Sequence, residues 1–418
     1  MSIQSMAAAH AAGKGSEPDS VFAVVAKIRE AKKLPGAEAI IDGSIGAMRN
    51  EDGSLSILPV VDEEYRKLPA EDLMDYAAIA GSPEFIAAAI QYTFQGFQPA
   101  GTIAGAVGTP GGTGAVRLMI ANYLDDRETA LIPDWHWAPY RTIAQESRRR
   151  TDTYAMFDEK SAFNTADIKA KVRQTLERQN NMLIIFNTPG HNPTGYSMSQ
   201  ADWAELIPFL RQQATASGKK VIVGLDMAYA DYCGDPREAR RFLGMFTDLP
   251  ENMQVVIAFS MSKSFFIYGM RCGAIVGFHP SAAVMRDFAN IHSFSARGAW
   301  SNGSRGAQEI LAKICGDPIL SARADQERRA LAELLSQRAA IFTDEARAVG
   351  LRVLPYYGGF FVTIPVKEPK LTTEKLMASN IYLVPMTGGL RLAVCAVPKN
   401  KMPGLATKIR AAQKELEG

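Results

Sequence analysis

The sequence is poor in the features that would tie it to metal, membrane or nucleic acid. Its four cysteines, Cys233, Cys272, Cys315 and Cys395, show no CxxC spacing, and scattered thiols fit a reducing cytosol rather than a disulfide framework. Its five histidines, His10, His136, His191, His279 and His292, form no metal-ligand spacing. No apolar run approaches the roughly 20 residues of a membrane span. The opening stretch MSIQSMAAAHAAGKGSEPDS lacks an apolar core of signal-peptide length, so residues 1–19 read as a disordered lead-in. A formal net charge of +2 offers no broad field for nucleic acid or an anionic membrane.

What is present is ordinary for a soluble globular protein, expected in the cytoplasm on its scattered thiols: 47% hydrophobic and 22% charged residues. At 418 residues the chain exceeds one simple core, and two domains are expected. Val21, Val24, Val25 and Ile28 share one face of a helix predicted over Ser20 to Lys33, with Asp19 or Ser20 as cap and Pro35-Gly36 as stop. Ile40 to Gly46 reads as a glycine-flanked strand, and Met48 to Gly53 as a turn. Thr129 to Pro133, Met182 to Phe186, Lys220 to Asp226, Val255 to Phe259 and Ala274 to Phe278 read as strands; the continuous apolar runs among them mark buried parallel pairing. Ser301 to Val349 reads as long helices broken near Gly316-Asp317-Pro318, followed by strands at Gly358 to Ile364 and Gly389 to Val394.

Polar residues gather where these strands end. Ser260-Met261-Ser262-Lys263 follows the run Val255 to Phe259. A lysine among apolar residues is poorly solvated, which favours the neutral amine, a nucleophile suited to a Schiff base with a carbonyl. Ser260 and Ser262 add hydroxyls, and Arg271 adds a forked guanidinium suited to a phosphate dianion. Together they describe a site for a phosphorylated aldehyde, although Lys263 alone reads equally well as a surface residue. Gly108 to Arg117 is a glycine-rich turn opening a helix, whose free N–H groups and positive dipole end cradle phosphate. It does not match G-x-x-x-x-G-K-[ST], which disfavours a nucleotide loop. Asp226 ends a strand where ligands of open α/β sheets lie, or else caps a helix. Arg391, polar within an apolar alternation, needs an anion if buried.

These segments resemble class I, fold type I, aminotransferases dependent on pyridoxal 5′-phosphate (PLP), of the aspartate and aromatic kind. The resemblance runs from about Val21 to the end, through Tyr76-x-x-x-x-Gly81-x-Pro83-Glu84-Phe85, Gly111-Gly112-Thr113-Gly114-Ala115, Trp137-Ala138-Pro139-Tyr140-Arg141, Asn192-Pro193-Thr194-Gly195, Asp226-x-Ala228-Tyr229, Ser260-x-Ser262-Lys263 with Arg271-x-Gly273, and Arg391. It implies an α/β fold: a large PLP-binding domain with a mostly parallel sheet flanked by helices (56–325), and a smaller α+β domain from both termini (20–55 and 326–418). It implies that Lys263 carries PLP as a Schiff base and shuttles the substrate proton. Gly112, Thr113, Ser260, Ser262 and Arg271 would hold the phosphate, Asp226 the ring nitrogen, and Asn192 and Tyr229 the 3′-oxygen. Trp137 would stack on the ring, with Trp135 as the other candidate. Gly46 would lie beside the substrate, Arg391 would clamp its α-carboxylate, and Tyr76 would reach the phosphate of the neighbouring subunit in a homodimer. His191 could be a turn residue and is given no chemistry.

Two departures stand out. Tyr140 stands where aspartate aminotransferases carry a histidine. By this resemblance the slot of the arginine that reads a distal carboxylate holds His292, with Arg297 as a substitute, so the amino donor is of aspartate or of aromatic type. The implied activity is ping-pong transfer between an L-amino acid and a 2-oxo acid such as 2-oxoglutarate. A PLP-dependent C–S lyase on the same fold is the alternative, and an aminotransferase-like ligand sensor a distant one.

Overall fold

The computed structural model describes residues 5–8, 11, 12, 14, 15 and 20–417. Most of the expected lead-in, including Asp19 and His10, lies outside the described residues. The first helix runs Ser20–Ala31 and buries Val24 and Ile28.

The strands are, in chain order, β1 (Ile41–Asp42), β2 (Ile103–Thr109), β3 (Thr129–Pro133), β4 (Arg150–Tyr154), β5 (Asn181–Asn187), β6 (Lys220–Asp226), β7 (Met253–Ser260), β8 (Gly273–His279), β9 (Phe361–Pro365), β10 (Ile381–Tyr382), β11 (Val384–Met386) and β12 (Gly389–Ala393). Seven of them form the central sheet in the order β2-β8-β7-β6-β5-β3-β4. Pairing is parallel from β4 to β7 and antiparallel on both sides of β8.

The apolar runs explain why this sheet is covered on both faces. Successive side chains of a strand point to opposite sides. Thus β5 sends Met182, Ile184 and Phe186 into one apolar cluster and Leu183 and Ile185 into another. The second cluster is completed by helix Gly111–Tyr123 through Val116, Met119 and Ile120, and by Met285 and Phe288 of helix Ala282–Ala299. On the other face Trp203 stacks on Phe242 at 4.9 Å between centroids.

A smaller α+β layer is built from both ends of the chain. β1 pairs in parallel with β10, joining Ile41 to Ile381. β11, β12 and β9 form an antiparallel sheet. Helix Arg305–Gly316 leads to the 31-residue helix Pro318–Ala348, whose first N–H groups are capped by Asp317.

The strand expected over Ile40 to Gly46 is only two residues long; beyond it the backbone bends at Ile45 and Ala47, beside the cleft. Register then sets the site. Asn187 lies beside Asp226, and Asp226 beside Ala258, so β5, β6 and β7 deliver their polar ends to one edge of the sheet.

Candidate active site

Beyond β7 the chain makes a four-residue helix, Met261–Ser264, in which Ser260 Oγ accepts from Ser262 N at 3.3 Å. Lys263 extends from this turn into a cleft of about 450 Å³. Its Nζ donates to Gly46 O at 2.8 Å and lies 4.7 Å from the Tyr268 ring centroid. Burial, helped by the nearby cations Arg271 and Arg391, lowers its pKa to about 8. The amine is therefore neutral in about a tenth of molecules at pH 7, far more than for an ordinary lysine.

Asp226 is 6% exposed. Burial raises its pKa, while hydrogen bonds from Tyr140 and Asn187 pull it back. Tyr140 Oη donates to Asp226 Oδ2 at 2.6 Å and accepts from Asn187 Nδ2 at 3.0 Å. Asn187 Oδ1 accepts from Asn192 N at 2.8 Å, so the same residue fixes the loop that carries Asn192. Burial keeps the Tyr229 phenol protonated well beyond its ordinary range, and Tyr229 is hydrogen-bonded to the Asn192 side chain.

Arg391, on β12, is 8% exposed. Its Nη2 donates to Ser44 O at 2.9 Å and its Nη1 to Asn192 Oδ1 at 3.3 Å. The guanidinium carbon lies 4.3 Å from the Phe361 ring centroid, which holds the fork flat.

At the other end of the cleft, Gly112 and Thr113 open helix Gly111–Tyr123 beside Ser260, Ser262 and Arg271. Arg271 Nη1 donates to Ser262 Oγ at 3.0 Å. This space tolerates no extra carbon. A Cβ on Gly111, whose φ is +69°, would come within 2.6 Å of Arg271 Nη2, and one on Gly112 within 3.2 Å of Ser260 Cβ. Helix N–H groups, two hydroxyls and a guanidinium are a donor set for a phosphate dianion. With a lysine amine and a buried carboxylate beyond them, the residues fit PLP.

Trp137 lines this cleft and meets Tyr140 edge-on, with centroids 5.4 Å apart. Trp135 is turned away, its ring against the backbone of Gly388 and Gly389. His191 is buried with Nδ1 2.8 Å from Thr194 Oγ1, in the loop that presents Asn192, and burial takes its pKa to about 3.

Three expected residues do not come to the cleft of their own chain. Tyr76 is 82% exposed. Arg297 is exposed, with Nη1 2.5 Å from Ser301 Oγ. His292 requires a correction: it is fully buried rather than facing substrate. It falls on the stripe Met285, Phe288, His292, Ala296 that its helix turns inward. Its Nδ1 lies 2.9 Å from Asn122 Nδ2 and its Nε2 3.2 Å from Tyr123 Oη, and burial lowers its pKa to about 3. A neutral, fully engaged imidazole cannot read a substrate carboxylate.

Sequence reasoning gave no role to Asn187 or Tyr268. Asn187 was visible as the polar end of a strand, but its partners follow from register. Tyr268, whose hydroxyl accepts from Met48 N at 2.9 Å, carries no periodic signal. Among the described residues no cluster of acids, histidines and cysteines could hold a metal, and no helix is long and apolar enough to cross a membrane.

Comparison with known proteins bears on the fold and the family. The structure of an aminotransferase from Anaerococcus prevotii superposes with a TM-score of 0.95 at 34% identity, over 98% of this chain and 99% of that one. The aromatic-amino-acid aminotransferase of Pseudomonas aeruginosa is 28% identical over 291 residues, 67% of this chain and 69% of that protein. The aromatic-amino-acid aminotransferase of Burkholderia pseudomallei, a structure described as covalently bound to pyridoxal phosphate, shares the fold with a TM-score of 0.78 at 21% identity, over 97% of this chain and all of that one. The model of the family described as aminotransferase class I and II matches residues 39–409, which include every residue placed in the cleft's lysine, carboxylate and arginine positions; the chain belongs to that family.

Proposed function

We propose that this aminotransferase uses PLP on Lys263 to move an amino group between an L-amino acid of aspartate or aromatic type and a 2-oxo acid such as 2-oxoglutarate, in a ping-pong cycle. One observation carries the reading: Lys263, Asp226, Asn192, Tyr229 and Arg391 all line a single cleft that ends in a phosphate cradle. PLP, when bound, supplies an aldehyde for the Schiff base and a ring that withdraws electrons from the substrate α-carbon.

The chain's own residues do the rest. Gly112, Thr113, Ser260, Ser262 and Arg271 would hold the phosphate, and Trp137 would pack on the ring. Asp226 would keep the proton on the ring nitrogen, with Tyr140 steadying its carboxylate. Asn192 and Tyr229 would hydrogen-bond the 3′-oxygen. Arg391 turns its fork to the substrate α-carboxylate, with Gly46 alongside. Lys263, neutral in part near pH 7, would take the substrate α-proton as base and later give it up as acid.

Tyr76 and Arg297, both exposed, are the residues we assign to the neighbouring subunit's site in a homodimer. Tyr76 would reach the partner's phosphate, and Arg297 a distal carboxylate.

The test is absorbance of the cofactor-loaded protein while aspartate, phenylalanine, tyrosine, alanine and glutamate are added singly. Conversion to the pyridoxamine form supports transfer, and the donor acting at lowest concentration names the substrate type. Release of pyruvate, ammonia and the thiol from an S-substituted cysteine, without need for an oxo acid, would favour the lyase. Absence of any change with every donor would overturn the reading.

A further inference from the structure

The turn that carries Lys263 is too short to hold itself. Helix Met261–Ser264 has four residues, and a full-turn bond from Phe265 N to Met261 O at 3.0 Å closes its end. A single turn is a costly nucleus with little to sustain it, and its last carbonyls lack partners within the helix. Here the carbonyls of Lys263 and of the next residue are met from outside. Tyr232 Oη donates to Lys263 O at 2.6 Å, and Arg328 Nε donates to Ser264 O at 2.7 Å.

Both donors belong to a buried polar cluster that the reaction does not use. Arg328 and Asp231 are each 2% exposed and Arg240 is 3% exposed. Asp231 accepts from Arg240 Nη2 at 2.7 Å and from Tyr92 Oη at 2.9 Å, and is hydrogen-bonded to the Ser264 side chain. Burial opposes its ionisation, but Arg240 and Arg328 outweigh that and hold its pKa at about 2. The Arg328 guanidinium lies 5.2 Å from the Phe265 ring centroid and 5.5 Å from that of Tyr92. Part of the cluster, including Tyr232, lines a separate cavity of about 570 Å³ that Lys263 does not reach.

Stability alone does not account for such a cluster, since well-packed apolar residues often serve a core as well as buried ion pairs do. What distinguishes this one is where it ends, on the two carbonyls at and after the lysine.

We propose that Tyr232 and Arg328 are positioning residues for Lys263, gripping its turn from behind so that Nζ stays aimed at the reacting carbon. The proposal rests on the role given to Lys263 above. Tyr232→Phe leaves Lys263 O with only the local backbone N–H groups, Phe266 N at 3.4 Å among them, while keeping the ring against Phe360, 4.8 Å away between centroids. Arg328→Lys keeps the charge beside Asp231 but cannot reproduce the planar fork.

The experiment has three readouts on full-length Tyr232→Phe: steady-state kinetics, melting temperature, and the pH midpoint for acetic anhydride labelling of Lys263 in cofactor-free protein, read by mass spectrometry. The expected result is a kcat about tenfold lower, KM values within about twofold, an unchanged melting temperature, and a labelling midpoint moved upward toward that of free lysine. An unchanged kcat, or a kcat that falls only with the melting temperature while the labelling midpoint stays fixed, would overturn the proposal. Should Tyr232→Phe fail to fold, Arg328→Lys carries the same expectation and the same contrary outcome. Wild type that moves no amino group would sink the transferase reading, whereas the labelling midpoints would still decide the positioning.

Discussion

The Tyr140 hydroxyl and the Asp226 carboxylate are joined by a 2.6 Å hydrogen bond in which both groups are buried. Burial alone raises the Asp226 pKa, and Tyr140 is the first of the groups that lower it again. The tyrosine therefore opposes the effect of burial and favours the ionised carboxylate.

Tyr140→Phe should raise the Asp226 pKa further and leave Asn187 Nδ2 without its 3.0 Å partner. A hydrogen bond to a charged group is worth about 1.5–3 kcal/mol, so the half-reaction should slow by about tenfold to a hundredfold. The loss should deepen toward acid, because a protonated Asp226 cannot hold the ring nitrogen's charge. Single-turnover rates across pH should show the acidic limb displaced to higher pH; a uniform loss would argue against this role.

Lys263 gives a stability prediction with a defined window. Its folded pKa of about 8 lies below the ordinary 10.5, so between these values the unfolded chain holds a proton that the folded chain has released. Stability rises with pH where the unfolded state binds more protons. Below about pH 8 both states are charged and the fold bears the full desolvation cost. In cofactor-free protein, Lys263→Met should therefore melt higher than wild type near pH 7, and the gap should close toward pH 10. Paired melting curves across that range check it.

Arg391→Lys keeps a charge but loses the flat two-pronged fork above Phe361. Loss of one charged hydrogen bond predicts a fall in kcat/KM of about tenfold to a hundredfold for every amino donor, with cofactor affinity unchanged. Steady-state kinetics with two chemically different donors and a cofactor titration separate the two effects.

Gly111→Ala should act on the cofactor instead. The backbone at φ +69° is strained for alanine, and its Cβ would press on Arg271. A left-handed residue other than glycine costs about 1–2 kcal/mol, so PLP should bind about tenfold more weakly, by fluorescence titration. Unaltered binding would mean that the cradle can give way.

The sequence revealed the strands that carry chemistry because they are buried on both faces and read as unbroken apolar runs, as in β5, β6 and β7. It concealed β2 and β4. In β2 the residues are small; Gly105 is tight against Met285 Cε, 3.1 Å from where a Cβ would stand, so helix packing chose glycine over a strand-forming side chain. In β4, Arg-Thr-Asp-Thr-Tyr is a polar edge without alternation. His292 was legible in principle: it stands four residues after Phe288 on the buried stripe, and a periodic reading assigns it to the core. Tyr232 and Arg328 were not, because their partners are backbone carbonyls remote in sequence.

One loop, 44–46, gives its Ser44 carbonyl to Arg391 and its Gly46 carbonyl to Lys263, across sequence separations of 347 and 217 residues. A contact of such span closes only after nearly the whole polypeptide is available. During synthesis on the ribosome the central sheet can pair from β3 to β7 while this loop still waits for the arginine that will meet it. Catalytic competence is therefore among the last properties the nascent protein acquires, since a chain ending before β12 lacks the arginine that closes the cleft.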